Sequence, residues 1–166
     1  MSRKEYFAYG SNLNFDQMAY RCPAAQVVGP VVLEGYELLF RGNASGNGVA
    51  TIKPKEGQQV HGLLWRITPG CERSLDLYEG YPHLYRKENL SVTMDGGERD
   101  IMAYVMTGER EYGVPARSYY ETIARGYADA GFDIGVLNEA VQESVRRMLD
   151  EVEPEEELNE TWQMTL

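Results

Sequence analysis

Short apolar runs broken by glycine, asparagine and charged residues fill the first two-thirds of the chain, and helical spacing of apolar positions takes over in the last third. The runs predict strands over residues 4–9, 26–33, 36–41, 48–53, 58–67, 85–94 and 99–106. Asp95-Gly96-Gly97 between the last two is a hairpin signal, because aspartate and glycine tolerate the left-handed backbone of a tight turn. Residues 42–48 read as a flexible connection, since their glycines follow no phosphate-loop spacing and no helical pattern comes after them. A short helix is predicted from Phe15 toward Arg21, capped by Asn14, with Gln17 completing a capping-box pattern and Pro23 closing it. A second runs from Pro69 to Gly80, with Thr68 as its cap and proline at the first helical position. Two more follow the strands: 116–130, closed by Gly131, and 134–152, closed by Pro154. Leu137, Val141, Val145, Met148 and Val152 give the last one an apolar stripe. Nothing repeats at a fixed period and no linker divides the chain. One domain is therefore expected over residues 1–153, followed by an acidic tail over 154–166. The most economical architecture is α+β, a mixed sheet curling into a small β-barrel flanked by helices.

Composition narrows the function classes. A chain of 166 residues, 43% hydrophobic and 25% charged, can bury a working core without metals or disulfides. Cys22 and Cys71 form no C-x-x-C pair, and His61 and His83 are isolated, so no metal site is expected. Two reduced thiols, no membrane-length apolar run and no signal-peptide pattern at the start predict a cytoplasmic protein. A monomer or homodimer is expected. The net charge of −10, with Asp150, Glu151, Glu153, Glu155, Glu156 and Glu157 crowded near the end, argues against nucleic acid as a partner. A small anionic substrate remains compatible, because a local nest of N–H groups offsets a repulsive global field.

Two segments carry candidate chemistry. Tyr9-Gly10-Ser11-Asn12 lies between the first strand and the first helix, where free backbone N–H groups suit a carboxylate or a developing oxyanion. An ordinary strand-to-helix turn would use the same residues. In the 69–80 helix, Cys71, Leu75 and Glu79 are spaced by four and share one face, with Tyr78 expected on the same side and Leu77 elsewhere. Burial and the negative end of the helix dipole would both raise the Glu79 pKa and let it exchange a proton near neutrality. A frayed, exposed glutamate beside a capping glycine is the competing reading. The tyrosines at 78, 81 and 85 could be core or could line a polar pocket.

Four motifs, in order, resemble the γ-glutamylcyclotransferase superfamily with its AIG2-like branches. They are Tyr9-Gly10-Ser11-Asn12-Leu13, the middle strands with Gly48-Val49-Ala50-Thr51-Ile52 and Val60-His61-Gly62-Leu63-Leu64-Trp65, Leu75-Asp76-Leu77-Tyr78-Glu79-Gly80 followed by Tyr85, and Pro115 with Tyr119, Ile123 and Gly126. The resemblance implies that Glu79 is the acid/base residue and that Tyr9, Gly10, Ser11, Asn12 and Leu13 hold the γ-glutamyl group. It also implies that Tyr85 and Tyr119 line the pocket. Leu84 and Ala116 depart from the family pattern, which bears on the leaving amine. The implied reaction is intramolecular cyclotransfer on a γ-glutamyl amide, giving 5-oxoproline and a free amine or amino acid, with no cofactor. A non-catalytic carboxylate-binding module and an amide hydrolase using Glu79 to activate water are the alternatives.

Overall fold

The structure is a computed structural model that describes residues 3–42 and 47–165, with side chains as far as Glu151. Asn43, Ala44, Ser45 and Gly46, most of the expected flexible connection, lie outside the described residues. The elements are β1 (Lys4–Ala8), a 3-10 turn (Ser11–Leu13), α1 (Phe15–Arg21), β2 (Gln26–Gly42) and β3 (Gly48–Ile67). They continue with α2 (Pro69–Glu79), β4 (Tyr85–Met94), β5 (Gly97–Met106), α3 (Arg117–Ala130) and α4 (Ile134–Thr165).

The four middle strands expected from sequence are two long, bent ones. Glu34 pairs with Gln59 and Tyr36 with Pro54, so residues 55–58 of β3 bulge where β2 has only Gly35. Gly35 and Gly57 sit at φ 79° and 83°, backbone that glycine adopts without strain. The bulge divides this hairpin into a stem beside β1 and an arm, residues 36–42 and 48–54, beyond the bend.

Strand order is β2-β3-β1-β5-β4, with β1 antiparallel to β3 and parallel to β5. Tyr6, Phe7 and Ala8 of the central strand are all buried, as expected where both faces of a strand are covered. Among the described residues no ladder joins the outer strands β2 and β4, although they pack together. The expected barrel is thus a curled open sheet. A side chain makes part of the remaining connection: the Met106 N–H donates to Thr51 Oγ1 at 3.0 Å, tying β5 to the arm.

Helix signals hold locally. Thr68 accepts from the Cys71 N–H at 3.2 Å, and Gly80 ends α2 in the left-handed conformation at φ 66°. Asn14 accepts from the Gln17 N–H at 3.1 Å, but its own N–H bonds the Ser11 carbonyl, so only half of the capping box forms. Asp95 and Gly96 turn the β4–β5 hairpin at φ 53° and 77°. One stop is overridden. The last helix continues through Pro154 to Thr165, carried by flanking glutamates that favour helix and losing the bond to the Asp150 carbonyl. Leu137 and Ser144 of α4 are fully buried, and Ser144 Oγ accepts the Phe40 N–H at 2.9 Å, fixing the arm from outside. Among the described residues no helix is long and apolar enough to cross a membrane.

Candidate active site

The chain leaves the central strand at Ala8 and turns at once into the 3-10 helix, so Gly10, Ser11 and Asn12 sit over the sheet's middle. A Cβ on Gly10 would lie 3.2 Å from Ala50 Cβ and 3.5 Å from the Tyr119 hydroxyl, so the loop is pressed against the arm and α3. From the other side α3 approaches so closely that a Cβ on Gly126 would stand 2.6 Å from Leu13 Cβ. Asn12 is held at three points. Its Nδ2 donates to the Tyr6 hydroxyl at 3.0 Å, its carbonyl accepts from Trp65 Nε1 at 3.1 Å, and its Oδ1 accepts from Arg21. The first N–H groups of a 3-10 turn have no partner within the turn, which leaves those of Ser11 and Asn12 for a ligand; Leu13 spends its own on the Gly10 carbonyl at 3.0 Å.

α2 brings the carboxylate. Cys71 and Leu75 face the core, Leu77 is 86% exposed, and Glu79 follows Leu75 by four residues at the helix end. Tyr78, expected on the buried side, is 44% exposed, its hydroxyl 3.0 Å from Ser11 Oγ and its ring under the Arg21 guanidinium. Glu79 keeps some exposed surface as a residue, yet burial of its carboxyl pushes the pKa up to about 7, against the lowering effect of Arg21. Among the described residues no side chain is hydrogen-bonded to it.

Tyr6, Tyr9, Gly10, Ser11, Asn12, Ala50, Glu79, Tyr104 and Tyr119 enclose a cavity of about 20 Å³, room for roughly one water. Six of the eight residues expected at the site thus meet there, and two do not. Leu13 is fully buried beneath the loop, a packing residue against Gly126. Tyr85 stands one layer back, its hydroxyl donating to the Ala50 carbonyl at 2.6 Å, while the Ala50 N–H donates to the Tyr119 hydroxyl at 2.9 Å. The two tyrosines hold one residue of the arm, Ala50, through both of its backbone polar groups. Tyr9 donates its hydroxyl to the Tyr104 carbonyl, and the Tyr104 hydroxyl donates to Asp76. Burial raises the pKa of Tyr6, Tyr9, Tyr85, Tyr104 and Tyr119, so all five are neutral at pH 7. A larger cleft of about 340 Å³ lies between the arm and β4. Its cations are already spent, Lys53 on Glu109, Arg86 on Glu88 and Arg41 on the Arg110 carbonyl. The small cavity, with its raised carboxyl, is the candidate site.

The family described as gamma-glutamyl cyclotransferase, AIG2-like, matches residues 6–122, a span that holds the loop, Glu79, Tyr85 and Tyr119. The chain belongs to this family. The gamma-glutamylcyclotransferase of Homo sapiens is 32% identical over 138 residues, covering 78% of this chain and 72% of the human one. That of Mus musculus is 33% identical over 135 residues, covering 76% and 71%. A solved structure titled gamma-glutamyl cyclotransferase superposes with a TM-score of 0.75 at 29% identity, over 84% of this chain and 86% of that one. The chain is accordingly a cyclotransferase-like enzyme.

Tyr6, Ala50, Tyr104 and Arg21 stand at the cavity of this cyclotransferase-like enzyme or beside it without having been singled out by sequence. Tyr6, Ala50 and Tyr104 look like ordinary strand residues, and an arginine in the last turn of a helix is unremarkable as a partner of the dipole. Asn12 bonds both Tyr6 and Arg21, contacts that no sequence spacing announces.

Proposed function

We propose that the enzyme cyclises a γ-glutamyl amide, releasing 5-oxoproline and a free amine, with Glu79 as general acid and base. What supports this most is a carboxyl with its pKa pushed up to about 7, facing a cavity walled by neutral tyrosines and the Gly10–Asn12 loop. Near neutral pH such a group both accepts and returns a proton. The substrate brings its own nucleophile, since its α-nitrogen reaches the γ-carbonyl to close a five-membered lactam. Holding the chain folded is worth an effective molarity on the order of 10⁵–10⁸ M. Glu79 takes a proton from the α-ammonium, the freed amine attacks the carbonyl carbon, and the C–N bond to the leaving group breaks. Two protons leave the α-nitrogen and both end on the departing amine, so Glu79 returns to its carboxylate form. In this reading the N–H groups of Ser11 and Asn12 hold an anionic oxygen of the substrate, and no cofactor or metal enters the scheme. Two free thiols accord with a reaction in the cytoplasm.

A cavity of about 20 Å³ does not hold a γ-glutamyl group, so binding requires the cavity to widen. A mass-spectrometric screen of γ-glutamyl amino acids and amines with the purified protein is the test. Release of 5-oxoproline is expected. Free glutamate instead would make it a hydrolase, and binding without turnover would make it a carboxylate-binding module.

A further inference from the structure

We propose that Arg21, at the end of α1, is a positioning residue of this site, which locks the loop to the last turn of α2 and supplies the positive charge facing Glu79. The inference rests on the acid/base role given to Glu79. The guanidinium donates to Asn12 Oδ1 and lies 3.4 Å from the centroid of the Tyr78 ring. Tyr78 in turn shares a hydrogen bond of 3.0 Å with Ser11 Oγ. Arg21, Asn12, Ser11 and Tyr78 thus form a closed circuit, and Tyr78 is covalently joined to Glu79. The circuit fixes the distance between the loop's N–H groups and the carboxylate, the two halves of the proposed chemistry. It needs a planar cation, because one group must stack on a ring and donate in its own plane to an amide; a lysine does only one of these.

The groups around Glu79 are Tyr6 from β1, Tyr9 directly after it, Tyr104 from β5 and Tyr119 from α3 at the cavity, Tyr85 of β4 one layer back, and Tyr78 from its own helix. Asp76, one turn earlier, is turned to Lys87 at 2.9 Å and to Tyr104. Cys22, next to Arg21, is a neutral thiol with its pKa pushed up to about 12 by burial. Among the described residues Arg21 is the cation that opposes the effect of burial on Glu79.

The charge is tested without substrate, by ¹³C-carboxyl NMR titration of Glu79, assigned by its absence in Glu79→Gln. Arg21→Gln, or Arg21→Met should the first variant not fold, is expected to raise the midpoint by at least ~0.5 unit, and Arg21→Lys to leave it in place. The lock is tested by kinetics on the γ-glutamyl amide turned over fastest in the screen. Arg21→Lys should lose about tenfold or more in kcat/KM with the pH profile unmoved, because the charge stays and the alignment goes. An unchanged midpoint in a folded neutral variant overturns the charge role, and full kcat/KM in Arg21→Lys overturns the lock. Full turnover by Glu79→Gln would instead defeat the reading of Glu79 itself, whatever Arg21 does.

Discussion

At Glu79 one substitution separates chemistry from stability. Glu79→Gln should lower kcat by at least ~10²-fold, the usual size of a general acid/base contribution. The folded pKa, pushed up to about 7 by burial, lies above that of an unfolded glutamate, about 4.3. The folded state therefore holds the proton more tightly, and the stability this gives is full below pH ~4.3 and is lost as pH rises through 7. The loss reaches at most about 4 kcal/mol, less in proportion to the water that reaches the carboxyl. The Gln variant has no such loss, so its Tm should gain on the wild type between pH 5 and pH 8. Parallel Tm curves for the two proteins over that range would contradict the raised pKa. The four-residue spacing from Cys71 and Leu75 made Glu79 legible in the sequence. The side taken by Tyr78 was not, because its partners, Ser11 and Arg21, come from other elements.

Between elements, the site depends on how closely α3 and the arm approach the loop. Gly126→Ala would drive a methyl group to within 2.6 Å of Leu13 Cβ and push the loop off α3. A loss of about 1–3 kcal/mol is expected from the overpacking, with a higher KM for the γ-glutamyl amide, read by denaturation and steady-state kinetics. Tyr119→Phe leaves the Ala50 N–H without its acceptor and should cost about 1–3 kcal/mol, again with a raised KM. Normal stability and KM in both variants would mean that neither contact shapes the site. Caps were legible because they are local: Thr68 and Asn14 bond residues three positions on. The length of β2 and β3 was not, since Gly35 and Gly57 look like strand breakers and become a bulge only once Tyr36 pairs with Pro54. Pro154 likewise reads as a stop, and the helix passes it.

Across the whole molecule, the strand order β2-β3-β1-β5-β4 brings the loop after β1 and the end of α2 to one place. The α+β class was legible from element types and order; the parallel pairing of β1 with β5 was not, because nothing in either strand names a partner almost a hundred residues away. Removing residues 154–166 leaves the buried contacts of Leu137 and Ser144 in place. We expect kcat/KM to stay within about twofold and Tm to fall by only a few degrees, since acidic, proline-led chain ends are as a rule solvated. A large loss in either would show that the end of the chain is structural. The central claim is that the substrate's own α-nitrogen is the nucleophile. Its most direct measurement is amine release in ¹⁸O-water from an accepted γ-glutamyl amide and from its N-acetyl counterpart. The account predicts 5-oxoproline without ¹⁸O from the first and no release from the second; release from the N-acetyl analogue near the parent rate, or ¹⁸O in newly formed glutamate, would contradict it.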